Sequence, residues 1–140
     1  MATTMIAPEQ ITNAGAREAK AVLDDAIAAF NARQYDKYLE SFTEDLESYT
    51  GIVTPLRWDG LSKWKELISG IESLASVTYE QRQATVRSYN DDTVLVNGYF
   101  VFTTVSQQGV VETQSGRSSF TLVKIDGDWR IANQHYSPMF

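Results

Sequence analysis

The spacing of apolar residues along the chain changes near residue 76 and separates a helical part from a strand-rich part. Before that point, apolar side chains recur every three or four residues, which is the period of a helix with one buried face. This pattern predicts three helices: one from about Glu9 or Ile11 to Ala32, a short one carrying Tyr35, Tyr38, Leu39 and Phe42, and one from Leu61 or Ser62 to Ala75.

The segments around the third helix carry weaker signals. Leu46–Thr50 alternates in polarity and predicts a brief edge strand, whereas Gly51–Gly60 contains Gly, Pro and Asp and predicts a loop. Asp59 or Ser62 is expected to cap the third helix. Gly70 lies inside that helix and costs on the order of 1 kcal/mol relative to alanine, which indicates either close packing against its backbone or a weak point.

After residue 76, β-branched and aromatic residues dominate four long segments separated by short turns. The segments are Tyr79–Tyr89, Thr93–Ser106, Glu112–Ile125 and Asp128–Ser137, and the turns are Asn90-Asp91-Asp92, Gln108-Gly109 and Asp126-Gly127. Consecutive strands joined by tight turns form an antiparallel meander. The second half of the chain is therefore predicted to be one sheet.

Helices with one apolar face must cover one side of that sheet, which predicts an α+β fold. Because long twisted strands curl, we expect a cone-shaped, curved antiparallel sheet packed against three N-terminal helices, with room inside for a ligand pocket. Residues 11–140 are predicted to form a single domain, and residues 1–10 a flexible N-terminal tail.

Composition narrows the functional classes. Twelve basic and 18 acidic residues give a net charge of −6 without a basic cluster, so nucleic acid is not an expected partner. The chain has no cysteine and no metal-ligand cluster or phosphate-binding loop, so we expect neither a metal nor a cofactor. It has no secretory signal and no apolar run near the roughly 18 residues of a membrane span, which favours a cytoplasmic protein without a membrane partner.

The last strand carries the only histidine, His135, which is the candidate acid or base. Arg117 is its natural neighbour on the preceding strand, and two registers are open. A two-residue turn places Arg117 opposite Tyr136, whereas a one-residue bulge at the turn places it opposite His135. Burial favours the first register because it puts four large apolar residues on one face, namely Phe120, Leu122, Trp129 and Ile131.

Either register predicts a polar cluster at one end of the sheet that could bind a carboxylate or another small anion inside the cone. The candidate ligand-binding residues are Arg117, Asn133, His135, Tyr136 and Tyr99, with His135 as the candidate catalytic residue. Carboxylates are few on the predicted strands and none lies mid-strand on an apolar face. That scarcity argues against a cyclase or isomerase of the familiar acid–base type, unless Asp36, Glu47 or Tyr49 reaches inward from the helical side.

Two motifs carry a resemblance to a known family. They are Phe30-Asn31, Tyr35 and Phe42-Thr43-Glu44-Asp45 near the start, and Gly116-Arg117, Asp126-Gly127, Trp129-Arg130-Ile131 and His135-x-Ser137-Pro138-Met139 at the end. The chain resembles the SnoaL-like branch of the nuclear transport factor two superfamily, and within it bacterial stand-alone relatives of the association (hub) domain of calmodulin-dependent kinase. Relatives often carry more than one histidine in the last strand, whereas Asn133 and Gln134 precede His135 here.

The resemblance implies a curved-sheet cone with an internal cavity and a homodimer or larger homo-oligomer. Members include isomerases, cyclases, dehydratases and assembly domains, so two hypotheses follow. One is a pocket that binds a small organic molecule, such as a carboxylate or a polyketide- or steroid-like compound, with isomerase, cyclase or hydratase chemistry if it is an enzyme. The alternative is a homo-oligomerisation module without catalytic activity.

Overall fold

The computed structural model of the protein describes residues 13–50 and 56–139. The predicted N-terminal tail lies outside the described residues. The elements follow in the order α1 (Ala14–Asn31), α2 (Tyr35–Leu39), β1 (Phe42–Thr50), β2 (Leu56–Asp59), α3 (Leu61–Ile71), β3 (Ser76–Tyr89), β4 (Thr93–Val105), β5 (Val111–Ile125) and β6 (Asp128–Pro138). No helix in the described part of the chain is long and apolar enough to cross a membrane.

The strands form one six-stranded sheet in the order β2-β1-β6-β5-β4-β3, which confirms the predicted α+β fold and the meander. Strand β1 pairs in parallel with β6, and every other pair is antiparallel. The prediction of β1 as an edge strand is wrong because β1 lies between β2 and β6. Part of the predicted loop, Leu56–Asp59, is the edge strand β2.

Helix α1 packs on one face of the sheet with a stripe that is mostly alanine and therefore approaches the strands closely. Asn13 caps it by accepting a hydrogen bond from the Ala16 backbone at 2.9 Å, so the helix begins later than the predicted Glu9 or Ile11. Its buried apolar residues are Ala16, Ala19, Leu23, Ala26, Ala29 and Phe30. The core lies between this stripe and the concave face of the sheet.

Helix α3 differs from its prediction at both ends. Its cap is Gly60, at φ 85°, without a side-chain hydrogen bond, so neither Asp59 nor Ser62 caps it. It ends at Ile71 and not at Ala75. The Ala75 N–H instead donates to the Val105 carbonyl, just before β3 begins. A Cβ on Gly70 would meet nothing within 4 Å, so of the two interpretations close packing is excluded and the weak point remains.

The sheet bends where strands approach each other too closely for side chains. A Cβ on Gly98 would lie 2.9 Å from the carbonyl oxygen of Arg82, beside the β3 bulge at Gln83. A Cβ on Gly116 would overlap the carbonyl oxygen of Ser137 and lie 2.8 Å from the Phe100 ring. These two glycines allow β3 and β6 to close in on the central strands and curl the sheet.

The β5–β6 hairpin fixes the faces of the last strand. Its turn has two residues, since Ile125 pairs with Asp128 and both turn residues have positive φ. The register shifts between Thr121 and Leu122, because β6 holds one extra residue at Ala132. Arg117 therefore lies opposite Ser137, and neither predicted partner, Tyr136 or His135, is correct.

Candidate ligand-binding cavity

A cavity of about 210 Å³ lies between the concave face of the sheet and the three helices. Most of its lining is aliphatic or aromatic: Leu23, Ala26, Ile27, Phe30, Phe42, Trp58, Trp64, Leu67, Ile68, Ile71, Phe100, Phe102, Phe120 and Ile131. The remaining lining residues carry neutral polar groups: Tyr38, Thr50, Tyr79, Gln134 and Tyr136. The part of the cavity wall that the structure describes holds no charged side chain.

Tyr136 stands at the centre of an aromatic cluster on the sheet side. Its ring meets the rings of Tyr79, Phe100 and Phe120 nearly edge-on, at centroid distances of 5.8, 5.4 and 5.7 Å. Tyr79 and Phe100 stack with an interplanar angle of 11°. Edge-on and stacked contacts of this kind hold aromatic rings in defined positions, so this wall is preorganised.

The Tyr136 hydroxyl belongs to a chain of satisfied hydrogen bonds. It donates to the Gln134 side-chain oxygen at 3.0 Å, and the Gln134 amide nitrogen donates to Ser48 at 2.9 Å. Gln134 and Ser48 are both fully buried. Because burial without a partner would be costly for each group, this chain fixes the junction of β1 and β6.

The indole nitrogens of two tryptophans donate hydrogen bonds to hydroxyls that line the cavity. Trp64 donates to the Tyr38 hydroxyl at 3.2 Å, and Trp58 donates to the Thr50 hydroxyl at 3.2 Å. The phenolic oxygen of Tyr38 is thus an acceptor, which leaves its own hydrogen free to donate.

The Tyr79 hydroxyl is buried and forms no hydrogen bond of regular geometry. Burial raises the pKa of Tyr79 to about 12, against a lowering by hydrogen bonding with the neighbouring Ser118 and Tyr136 hydroxyls. The Ser118 hydroxyl is buried beside it and likewise forms no hydrogen bond of regular geometry. The oxygens of both hydroxyls have no accessible surface, so these groups interact with each other and not with the contents of the cavity.

The other two cavity phenols also remain un-ionised at neutral pH. Burial raises the pKa of Tyr136 well above its ordinary value, and Tyr79 and Tyr38 raise it further. Burial likewise raises the pKa of Tyr38, against a lowering by its bond with Trp64. The three phenols therefore act as neutral hydrogen-bonding groups and not as bases.

Of the five predicted ligand-binding residues, only Tyr136 lines the cavity. His135 is exposed on the outer face of the sheet, where its Nε2 lies 2.9 Å from the Ser137 hydroxyl and its ring lies 5.7 Å from that of Tyr49. The extra residue at Ala132 turns Tyr136 inward and His135 outward.

Arg117 and Tyr99 pair directly across β5 and β4, and both are exposed on the outer face. Asn133 is half-buried and does not line the cavity. The anion-binding cluster expected inside the cone is therefore not there, because Arg117 and His135 lie on the opposite face of the sheet. The catalytic role of His135 stays a prediction.

Sequence reasoning missed Tyr38, Tyr79 and Gln134 as cavity residues. Tyr79 pairs with Phe102 across β3 and β4, and Phe102 is two residues from Phe100, so all three side chains lie on the inner face of the sheet. This alternation could have identified Tyr79 from the sequence. Gln134 carried no such signal, because its inward orientation depends on the irregularity at Ala132.

Comparisons with known proteins agree with this geometry. The sequence profile of the SnoaL-like domain matches residues 19–140. The comparison with curated proteins gives no match.

Among solved structures, a candidate calcium/calmodulin-dependent protein kinase II association domain from Xanthomonas campestris superposes with a TM-score of 0.80 at 24% identity, covering 99% of this chain and 97% of the other. A candidate scytalone dehydratase from Novosphingobium aromaticivorans gives 0.79 at 14% identity, over 89% and 83%. A nuclear transport factor 2-like superfamily protein from Salmonella enterica gives 0.77 at 17% identity, over 90% and 92%. The sequence profile shows that this chain belongs to the SnoaL-like domain family, and the solved structures show that it shares its fold with the proteins named above.

Proposed function

We propose that the protein binds a small, uncharged and mainly apolar organic molecule in the cavity between helices and sheet. The observation that carries this proposal is a cavity of about 210 Å³ whose described lining is apolar or neutral. Ligand pockets are typically apolar with a few well-placed polar groups, as here.

The volume favours a compact ligand. An apolar cavity of about 150 Å³ accepts benzene, and pockets for drug-sized molecules run from about 300 to 1,000 Å³. A volume of about 210 Å³ therefore fits a molecule of one or two rings better than a steroid or a large polyketide.

The charge of the lining favours a neutral ligand. An ionised carboxylate would lose its hydration in the cavity, where the described wall offers no cationic partner. The phenols are held neutral by burial, so they supply hydrogen bonds and no base for proton abstraction. We therefore propose binding as the primary role of this site.

A matched pair of probes tests the proposal: indane, which is neutral and bicyclic, and indane-2-carboxylate, which has the same rings and a charge. Calorimetric titration and ligand-observed NMR should show saturable binding of indane and weaker binding of the carboxylate by tenfold or more. Absence of indane binding up to its solubility limit, or tighter binding of the carboxylate, would contradict the proposal.

We also propose that the protein self-associates through the outer face of the sheet. The fold likeness to the Xanthomonas campestris association domain supports this, as does the exposed side chain of Tyr99, 43% accessible on a face without helices. Size-exclusion chromatography with light scattering should give at least a dimer. Tyr99→Lys should shift it towards monomer, whereas Ser62→Lys, at an exposed position of α3 on the helical side of the sheet, should not. A monomer at high micromolar concentration contradicts the proposal.

A further inference from the structure

We propose that helix α3 opens locally as a unit and that a ligand in the cavity holds it closed. The inference rests on the proposed ligand-binding function and adds a response to it. Occupancy of the cavity is transmitted to the outer surface of α3, which carries the exposed side chains of Lys63, Lys65 and Glu66.

Helix α3 has few of the features that stabilise a helix by itself. It spans 11 residues, and isolated helices shorter than about 12–15 residues are marginal in water. Its N-cap, Gly60, forms no side-chain hydrogen bond, its first turn holds no acidic residue and its last turn holds no basic one. Gly70 lies exposed inside it and lowers its helix propensity further. The helix therefore depends on its packing against the rest of the molecule.

The packing face of α3 lies against the cavity more than against a filled core. Only two of its 11 residues, Trp64 and Ile68, are buried, whereas α1 buries seven of its 18 residues. Trp64, Leu67, Ile68 and Ile71 all line the cavity, and Leu67 and Ile71 are only half-buried. Side chains that face a cavity make fewer dispersion contacts than side chains in a packed core. The helix is therefore the least firmly packed wall of the cavity.

Hydrogen bonds also hold α3 weakly. The Trp64 indole donates to the Tyr38 hydroxyl at 3.2 Å, and within the described residues this is the only side-chain hydrogen bond from α3 to another element. The Ser69 hydroxyl donates to the Lys65 carbonyl, which lies in the same helix. Opening of α3 thus breaks one side-chain hydrogen bond and exposes two buried side chains. That free energy is well below the free energy of global unfolding, which is the condition for local opening.

A ligand in the cavity changes this equilibrium. It contacts the four cavity-lining side chains of α3 only while the helix is closed, so the closed state binds it more tightly than the open state. A ligand shifts a two-state equilibrium by its difference in affinity for the two states. The free energy of opening α3 therefore rises with the concentration of ligand.

Amide hydrogen exchange at residues 64–71 measures this opening. In the ligand-free protein these amides should exchange about tenfold or more faster than the amide of Leu23, which is 1% exposed in α1 and opens only with the whole molecule. Indane should slow them by a factor of one plus the ratio of its free concentration to its dissociation constant. That factor is about tenfold at roughly nine times the dissociation constant.

Two glycine substitutions separate local opening from global unfolding. Gly70→Ala should slow exchange in α3 about two- to fivefold without ligand, because alanine favours the closed helix. Gly15→Ala is the matched control, in α1, where a Cβ would lie 3.5 Å from its nearest neighbouring atom. It should leave exchange in α3 unchanged, because it alters only stability against global unfolding.

Three results would overturn this inference and leave the proposed function standing. They are exchange in α3 as slow as at Leu23, exchange in α3 unchanged by bound indane, and equal slowing of α3 by the two glycine substitutions. Failure of the wild-type protein to bind indane would overturn both the inference and the proposed function.

Discussion

At the scale of single residues, two glycines occupy opposite environments. Gly116, in the middle of β5, has the Ser137 carbonyl and the Phe100 ring where a side chain would be. Gly70, exposed in α3, has open space around it. The same chemical change, addition of one methyl group, should therefore have opposite effects at the two positions.

We expect Gly116→Ala to lower the free energy of unfolding by about 3 kcal/mol or more. The added methyl group would collide with the backbone of β6, which cannot move aside as a flexible side chain can. Gly70→Ala should raise it by about 0.5–1 kcal/mol, the helix propensity difference between the two residues. Urea unfolding followed by circular dichroism measures both. Equal effects of the two substitutions would show that the crowding at Gly116 is not real.

Burial of Tyr79 predicts a contribution to alkaline unfolding. Its pKa is about 12 in the folded protein, against an ordinary value of 10.0 for an unfolded chain. The folded state holds the proton more tightly, so the stabilisation is complete below pH 10 and is lost as the pH rises from 10 to 12. Two pKa units correspond to about 3 kcal/mol at most.

Tyr79→Phe should therefore lose less stability than the wild-type protein between pH 9 and pH 11.5. The measurement is urea unfolding at fixed pH values across that interval, compared at each pH. Identical pH dependence of the two proteins would mean that Tyr79 ionises in the folded state as readily as in the unfolded chain.

At the scale of elements, Asn31 joins the end of α1 to the edge strand β3. Its amide nitrogen donates to the Tyr79 carbonyl at 2.8 Å, and its oxygen accepts from the Tyr79 backbone N–H at 2.7 Å. One side chain thus completes the backbone bonds of an edge residue. It also positions Tyr79, whose ring lines the cavity.

Asn31→Ala should lower the free energy of unfolding by about 1–3 kcal/mol, because two partly buried backbone groups lose their partners. Asn31→Asp should cost a comparable amount, because one oxygen still accepts from the Tyr79 N–H but the other faces the Tyr79 carbonyl oxygen without a hydrogen to donate. Chemical denaturation measures stability, and amide hydrogen exchange at Tyr79 should speed up in Asn31→Ala. Protection of that amide in Asn31→Ala would contradict this role.

The elements that sequence predicts well are those defined by local pattern. The four long strands and the Asp126-Gly127 turn follow from alternation and turn chemistry within a few residues, and both are confirmed. The parallel pairing of β1 with β6 joins residues about 90 positions apart, so no local pattern indicates it. The extra residue at Ala132 also has no sequence signature. For that reason the sequence could not show whether Tyr136 or His135 faces the cavity.

At the scale of the whole molecule, the cavity is a product of curvature. The sheet bends at Gly98 and Gly116, and the helices span the hollow without filling it. The existence of a hollow follows from long twisted strands under one-sided helices, so sequence could predict it. The absence of charge from the described cavity wall could not be predicted, because it depends on which polar side chains of β6 point into the cavity and which point away.

The unfilled space itself is testable with two alanines one turn apart on α1. Ala26 and Ala29 are almost fully buried, at 2% and 3% exposure, but only Ala26 lines the cavity. Ala26→Leu places its added carbons in empty space, so the free energy of unfolding should stay the same or rise by up to about 2 kcal/mol. Ala29→Leu places them in packed core and should cost about 1–3 kcal/mol.

The same pair separates cavity filling from general damage in the binding assay. Ala26→Leu should weaken indane binding by tenfold or more because the added side chain occupies the ligand's volume. Ala29→Leu should retain binding at temperatures where it is folded, because its side chain does not reach the cavity. If Ala26→Leu destabilises the protein as much as Ala29→Leu and leaves indane affinity unchanged, then the ligand does not occupy the space beside α1.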